Sequence, residues 1–367
     1  MLKLLHCADI HLDSPFTAAN AERAEVRRNE LRAAFTSMLL YARTSDCKMI
    51  LMAGDIVDEA FATRDTAAML MREFANIPSV RIVIAPGNHD PYCKGSIWAA
   101  TQFPPNVYIF DSENLSYFTF DDIGVDVYGY AFTSRDLEKC PFSGCRPLDM
   151  GKINLLCAHG DMTSPISKKC PITESDLISS GFTYAALGHI HNTTGIKKAV
   201  SPTGNVYYGY SGCLEGRDFG ECGYKGAIVV EIDEDTREVH TKGVRYSKRR
   251  YEILNLDATG MQDAAEAVEA YKRESAARTF GSDTMVRLVL EGAVVPGFSA
   301  SVSDFGELTE FVDNTSPTYD DAYLRSDPGI RGAFYRELLP MLTSDNHEER
   351  KTAREALRIG MKEISNK

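Results

Sequence analysis

Six of the eight histidines in this chain, His6, His11, His89, His159, His189 and His191, stand in or beside short segments of one grammar: an apolar run, then Gly, Asp, Asn or His. The segments are CADIH with Asp9 and His11, GDIVD with Asp55 and Asp58, GNHD with Asn88, His89 and Asp90, CAHGD with His159 and Asp161, and GHIH with His189 and His191. Each follows a run of strand type: LKLL, MILMA, RIVIAP, INLLC or TYAAL. In open α/β sheets ligands collect outside the carboxyl ends of the strands, so groups at five strand ends can converge. Mixed carboxylate, imidazole and amide groups suit Mn²⁺, Fe²⁺ or Zn²⁺. They suit neither an all-oxygen Ca²⁺ site nor a thiolate zinc site.

Spacing narrows the chemistry further. Residues two apart on an extended segment face the same side, so Asp9 and His11 can reach one cation. His189 and His191 also face one way, and they could serve two ions lying about 4 Å apart, as in paired hydrolytic sites. Gly54 lets the backbone turn tightly and delivers Asp55 from a buried strand into a loop. Asn88 and His89 are adjacent and can point to different sides of a site, one as an amide oxygen ligand, the other as a free imidazole. His6 reads as a strand-end packing group, and Asp13, Asp90 and Asp161 as supporting or turn residues. Arg217 could hold a substrate phosphate in its fork of donors or form a structural ion pair.

The elements that must position these groups follow βαβαβ grammar. Strands are predicted at 2–5, 49–53 and 80–85, with helices at 22–44 and 63–76 between them. The first helix would bury Val26, Leu31, Ala34, Phe35, Met38 and Leu39. From 104 to 130 short alternating segments read as antiparallel strands opening a second sheet, which 206–210, 227–232 and 238–244 would complete. Lys248, Arg249 and Arg250 read as a solvated linker. Beyond it, a strand at 251–256, a helix at 261–278 and a strand at 285–290 suggest a small α+β unit. Residues 315–328 read as a polar loop, and 329–342 and 348–364 as helices.

Composition bounds the partners. A formal charge of −12 argues against a protein that coats nucleic acid through a broad basic surface, so any DNA contact must be local. Nine scattered cysteines and the absence of an 18-residue apolar stretch point to a soluble cytoplasmic protein with reduced thiols and no membrane contact. Cys140 and Cys145 lack the second pair that a zinc clip needs.

The ordered set Asp-x-His, Gly-Asp-x-x-Asp, Gly-Asn-His-Asp, His-Gly and Gly-His-x-His resembles the calcineurin-like metallophosphoesterase superfamily over residues 1 to about 245. HCADIHLDSPF at the start and YSGCLEGRDFGECGYKG at 210–226 resemble its DNA-repair exonuclease branch, the SbcD and YhaO type. The resemblance implies an α/β, four-layer αββα sandwich at 1–248, a small α+β capping domain at 249–314, and a loop with C-terminal helices at 315–367. It implies two divalent metals, manganese first, with iron or zinc as alternatives. Asp9, His11 and His191 would hold one metal and Asn88, His159 and His189 the other, with Asp55 bridging both. Two dications on only two anionic ligands leave a net positive site even after a hydroxide binds, so an acidic protein can hold a phosphate there.

The implied reaction is phosphodiester hydrolysis by a hydroxide shared between the metals. His89 serves as general acid and Asp58 orients it. Asp58 stands where the best-known repair nucleases carry a second histidine, and so matches the phosphatase branch. The expected function is a DNA exo- or endonuclease subunit in DNA repair. Expected partners are DNA, an SMC-like ATPase of the SbcC or YhaN kind docking on the tail, and a second copy of the chain. A small-substrate phosphodiesterase or phosphatase, and a non-catalytic scaffold subunit, are the alternatives.

Overall fold

The computed structural model describes residues 1–16, 21–295 and 298–365. They form two compact units, Met1–Arg250 and Tyr251–Lys367. The first begins with β1 (Leu2–Cys7), α1 (Ala21–Thr44), β2 (Met49–Met52), α2 (Arg64–Ala75), β3 (Arg81–Ile84), α3 (Ile97–Ala100) and β4 (Val107–Ile109). It continues with β5 (Ser116–Phe120), β6 (Val125–Gly129), β7 (Ile153–His159), α4 (Glu174–Ser180) and β8 (Tyr184–Gly188). It closes with β9 (Lys197–Ser201), β10 (Gly204–Tyr210), β11 (Gly226–Ile232) and β12 (Val239–Arg245).

Two six-stranded sheets result, in the orders β12-β11-β1-β2-β3-β4 and β5-β6-β7-β8-β10-β9. Strands β1 to β4 are mutually parallel, as are β6, β7, β8 and β10. Period-2 alternation splits each central strand between two cores. Leu5 and Cys7, Ile50 and Met52, and Ile82 and Ile84 face α1 and α2. Leu2, Leu4, Met49, Leu51 and Val83 meet Val125, Val127, Leu155, Tyr184 and Ala186 between the sheets. On the far side, Leu156, Ala185, Leu187 and Tyr208 pack with Leu177 of α4 and with Phe182. The layers therefore run α, β, β, α.

Helix α1 buries Leu31, Ala34, Phe35, Met38, Leu39 and Ala42, the one-sided spacing expected of it, but Val26 is 47% exposed. Helix α2 starts where Thr63 caps it, its hydroxyl accepting from the Thr66 N–H, and ends at Asn76.

Three expectations are corrected. First, β11 and β12 belong to the first sheet, not the second: β11 lies antiparallel beside β1, pairing Leu4 with Val230. Strand β4, expected in the second sheet, lies parallel to β3 in the first. Alternation identifies a strand but not its neighbour, and here the chain returns to the first sheet after leaving it. Second, the basic run is only partly solvated: Lys248 is exposed, but the backbone of the run and the Arg249 side chain are tied down. The Lys248 and Arg249 N–H groups donate to buried Glu215 at 2.6 and 3.0 Å, and Arg249 pairs with Glu30 at 2.9 Å. Third, residues 315–328 are not all loop, as the second unit shows.

That unit contains β13 (Arg250–Asp257), α5 (Ala264–Ala277), β14 (Thr284–Val294), β15 (Thr309–Pro317), α6 (Asp321–Ser326), α7 (Ile330–Leu342) and α8 (His347–Ser365). The sheet order is β13-β14-β15. Strand β15 is an edge strand, where exposed polar residues and a terminal Pro317 are tolerated, which is why its sequence reads as loop. Leu254, Ala267, Leu288 and Phe305 form one core; Leu324, Tyr335, Leu357 and Met361 form another.

The two large sheets approach tightly at the end of β8. A Cβ added at Gly188 would stand 1.8 Å from the Ala53 carbonyl oxygen and 2.8 Å from Ala8 Cβ. Backbone cannot yield as a side-chain tip can. Gly188→Ala is expected to cost about 3 kcal/mol or more of stability in a urea titration. Gly243→Ala, where an added Cβ meets nothing within 4 Å, should stay within about 1 kcal/mol.

Candidate metal centre

Strands β1, β2, β7 and β8 end at the same edge of the paired sheets, and β1 hands the chain to a loop that runs alongside the one after β2. The Asp9, His11 and Leu12 N–H groups donate to the Gly54, Asp55 and Ile56 carbonyls at 3.0, 3.0 and 2.9 Å. Four candidate ligands sit at positive φ: Asp9 at 51°, His11 at 52°, Asp55 at 53° and His189 at 114°. Side chains with a Cβ rarely adopt this backbone, and its recurrence marks a site where geometry outranks local comfort. Gly54, at φ 85°, is tighter still: a Cβ there would meet His159 Nδ1 at 2.5 Å.

Asp90 fixes the second loop. Its carboxylate accepts N–H donations from Gly87 (2.7 Å), Asp55 (3.1 Å), Ile56 (2.7 Å) and Val57 (3.3 Å). Burial and the Asp55 charge push the Asp90 carboxyl up to about 7, against the pull of these donors.

The seven expected ligands come together. Asp9, His11 and His191 form one trio of metal-competent atoms, and Asp55, His159 and His189 another. Asn88 Oδ1 lies 3.1 Å from His159 Nε2. Asp55 joins the trios, its Oδ2 lying 3.3 Å from His159 Nε2 and 3.8 Å from His11 Nε2. His191 Nε2 is 3.2 Å from His11 Nε2 and 3.8 Å from Asp9 Oδ1.

Which nitrogen carries the proton follows from the partners behind each ring. His159 Nδ1–H donates to the Ala53 carbonyl at 2.9 Å, His11 Nδ1–H to Asp58 at 2.9 Å and His191 Nδ1–H to Glu221 at 2.6 Å. Arg217 Nη2 is also 2.9 Å from His191 Nδ1, but both are donors, and both are satisfied by the same Glu221 carboxylate. All three rings therefore turn Nε2, the nitrogen left to ligate, inward. Lone pairs facing each other across 3–4 Å repel unless something positive lies between them. Bonds of roughly 2.1 Å to a shared cation place neighbouring ligand atoms on the order of 3–3.5 Å apart, so the residues present fit two divalent metal ions.

Charge agrees with geometry. Asp9 and Asp55 are each 1% exposed, and a buried carboxylate must be paired or bind metal. Burial opposes charge on Asp55, but His159 and His11 beside it hold its carboxyl well below the usual range. Burial would lower His159 too, yet Asp55 outweighs it and raises the imidazole to about 9. A pocket that draws a proton this strongly draws any cation. At His11 and His189 burial dominates and keeps the rings neutral, the form that ligates.

The expected catalytic pair lies at the mouth. The His89 ring is half exposed and its Nδ1 is 3.1 Å from Asp58 Oδ1, while the His89 backbone N–H donates to Asp55 Oδ1 at 2.8 Å. Asp58 thus supports both His89 and His11. The remaining residues take the bland roles. His6 donates from Nε2 to the Leu187 carbonyl and accepts at Nδ1 from the Tyr184 hydroxyl, away from the metals. Asp13 pairs with Arg32, and Asp161 accepts from Thr163. One contributor escaped the sequence reading: Glu221, inside the quoted 210–226 block but with no motif role.

If the site holds metal, adding Mn²⁺ to chelator-stripped protein should raise its melting temperature, equivalent to about 2.7 kcal/mol at a hundredfold excess over Kd. In Asp55→Asn most of that rise should vanish, with a matching loss of bound metal by elemental analysis.

Comparison with known proteins agrees with this arrangement. A Bacillus subtilis (strain 168) protein, the uncharacterized metallophosphoesterase YhaO, is 28% identical over 302 residues, which is 79% of this chain and 72% of that protein. The calcineurin-like phosphoesterase family model matches residues 2–202, a span that contains all seven converging ligands together with His89 and Asp58. The chain therefore belongs to the calcineurin-like phosphoesterase family and is a metal-dependent phosphoesterase.

Proposed function

We propose that this phosphoesterase is a DNA nuclease subunit working in DNA repair, a two-metal phosphodiester hydrolase with His89 as general acid. The observation that carries the reaction type is His89 itself, a solvent-facing imidazole held by Asp58 beside buried ligands. When bound, two divalent ions supply the Lewis acidity that acidifies a water and draws charge from the phosphoryl oxygens. The protein's own part is separable from that. The hydrogen bond to Asp58 raises the His89 pKa above its usual value, which favours the protonated ring that a departing alkoxide needs. Arg217, fixed by Glu221 beside the ligand His191, offers a guanidinium for a phosphate oxygen.

DNA as substrate rests on the resemblance of the opening and 210–226 blocks to the repair-exonuclease branch. That branch also suggests manganese as the metal, an SMC-like ATPase partner and a second copy of the chain. Nine free thiols fit a cytoplasmic home. Among the described residues no helix is long and apolar enough to cross a membrane. Asp58 and the charge of −12 favour a second reading, a phosphodiesterase or phosphatase of small substrates.

A manganese-supplemented assay separates the two. Linear duplex DNA, single-stranded DNA and an aryl phosphodiester should all be cleaved; turnover of the aryl ester alone selects the second reading. His89→Ala should lower kcat by roughly 10²–10⁴-fold with metal content unchanged. Full turnover in that variant rules His89 out as the acid. In Asp58→Asn the His89 pKa falls toward its ordinary value, so the basic limb of the kcat profile should move to lower pH.

A further inference from the structure

We infer that the cleft beside His89 is a base-stacking subsite for the nucleoside carried by the leaving oxygen, with Phe61 as its stacking face. The inference rests on the phosphodiesterase reading and adds to it which part of the substrate the protein grips.

The cleft has a volume of about 570 Å³ and is lined in part by Phe16, Phe61, His89, Arg135 and Arg217. That size falls within the roughly 300–1,000 Å³ that encloses one small ligand, so one nucleoside unit fits. A general acid must lie against the oxygen it protonates, so whatever is bonded to that oxygen extends beyond His89, into this cleft.

The walls differ in what they leave available. Phe16 is 5% exposed, sits at φ 49°, and has the Arg27 guanidinium 5.3 Å from its ring centre, so it is a packed floor. Phe61 is 53% exposed, and its N–H donates to the Asp58 carbonyl at 2.8 Å. One tight turn therefore ties the exposed ring to the residue that holds the acid. The position of Phe61 is set relative to His89, not left to a loose loop.

The charges at the rim select among ligands. Asp58 is occupied by His11 and His89, Glu59 accepts from the Ile97 N–H at 3.2 Å, and Asp218 accepts from the Gly220 N–H at 2.7 Å. Arg217 is braced by Glu221, while the Arg135 guanidinium makes no ion pair among the described residues. An exposed aromatic face with guanidiniums beside it matches a base with an adjoining phosphate, and every base offers a π-face. The subsite would thus be indifferent to base identity.

The test uses manganese-loaded wild type, Phe61→Ala and Phe61→Tyr. The substrates are a thymine dinucleotide and its two counterparts in which one or the other sugar lacks its base. Wild type should show a KM roughly tenfold lower for the dinucleotide than for one of the two abasic forms, with kcat little changed. Phe61→Ala should erase that ratio and Phe61→Tyr keep it. A ratio that survives in Phe61→Ala, or wild-type turnover with no ratio, overturns the subsite. No turnover of any dinucleotide instead overturns the phosphodiesterase reading. Binding then decides separately: 2-aminopurine nucleoside monophosphate should be quenched by metal-free wild type and not by Phe61→Ala. Equal quenching in both, or none in wild type, again overturns the subsite.

Discussion

Asp55 is the point through which the two halves of the metal centre are coupled. Its carboxylate is 1% exposed, and a charge so placed is tolerated only among partners that repay its lost hydration. His159 and His11 approach it from different strand ends, the His89 N–H caps one oxygen, and the other is left toward the space between the trios. With one group on both sides, neither trio can move without the other. The remaining architecture can be understood as what keeps that carboxylate in place.

That architecture is rigid because it is layered. Each central strand is buried on both faces, one toward helices and one toward the opposite sheet, so strand ends cannot slide. The loops that follow are then held by backbone donors: three N–H donations from the Asp9–Leu12 loop to carbonyls of the Gly54–Ile56 loop, and four from surrounding amides to the Asp90 carboxylate. Hydrogen bonds of this kind offset the cost of four ligands at positive φ. A sheet that could shear would relax those residues to ordinary backbone and disperse the ligands.

The sequence disclosed the ligands because each strand end carries its chemistry in consecutive letters. Asp9 and His11, or His189 and His191, are legible at spacing two, and Gly54 announces the turn that delivers Asp55. The central strands were legible as continuous apolar runs, although which residues face the helices and which the opposite sheet came only from the structure. What stayed hidden were the relations between distant segments. Nothing in GAIVVEI states that β11 will lie beside β1 rather than extend the second sheet. Glu221 is one acidic residue among many until the fold sets it 2.6 Å from His191 Nδ1. Lys248 and Arg249 read as a solvated linker, and nothing in their letters tells that their backbone amides will be bound by buried Glu215. Val26 fitted the helical stripe by type but not by position: five residues before Leu31 it lies well round the helix from the buried stripe, and it is exposed.

Asp58 shows how one side chain can serve structure and chemistry together. One oxygen faces His11 Nδ1 at 2.9 Å and His89 Nδ1 at 3.1 Å, so a single carboxylate sets the tautomer of a candidate ligand and the proton affinity of the candidate acid. A histidine in its place could accept one hydrogen bond, not two, and would leave one of those rings unanchored. The carboxylate also adds negative charge beside the candidate metal site, which would weaken the attraction for an anionic substrate. The two guanidiniums of the adjoining cleft, Arg135 and Arg217, stand on the side where that loss would be felt. Local cation placement of this kind explains how a chain of net charge −12 can still receive a phosphate ester at one point on its surface.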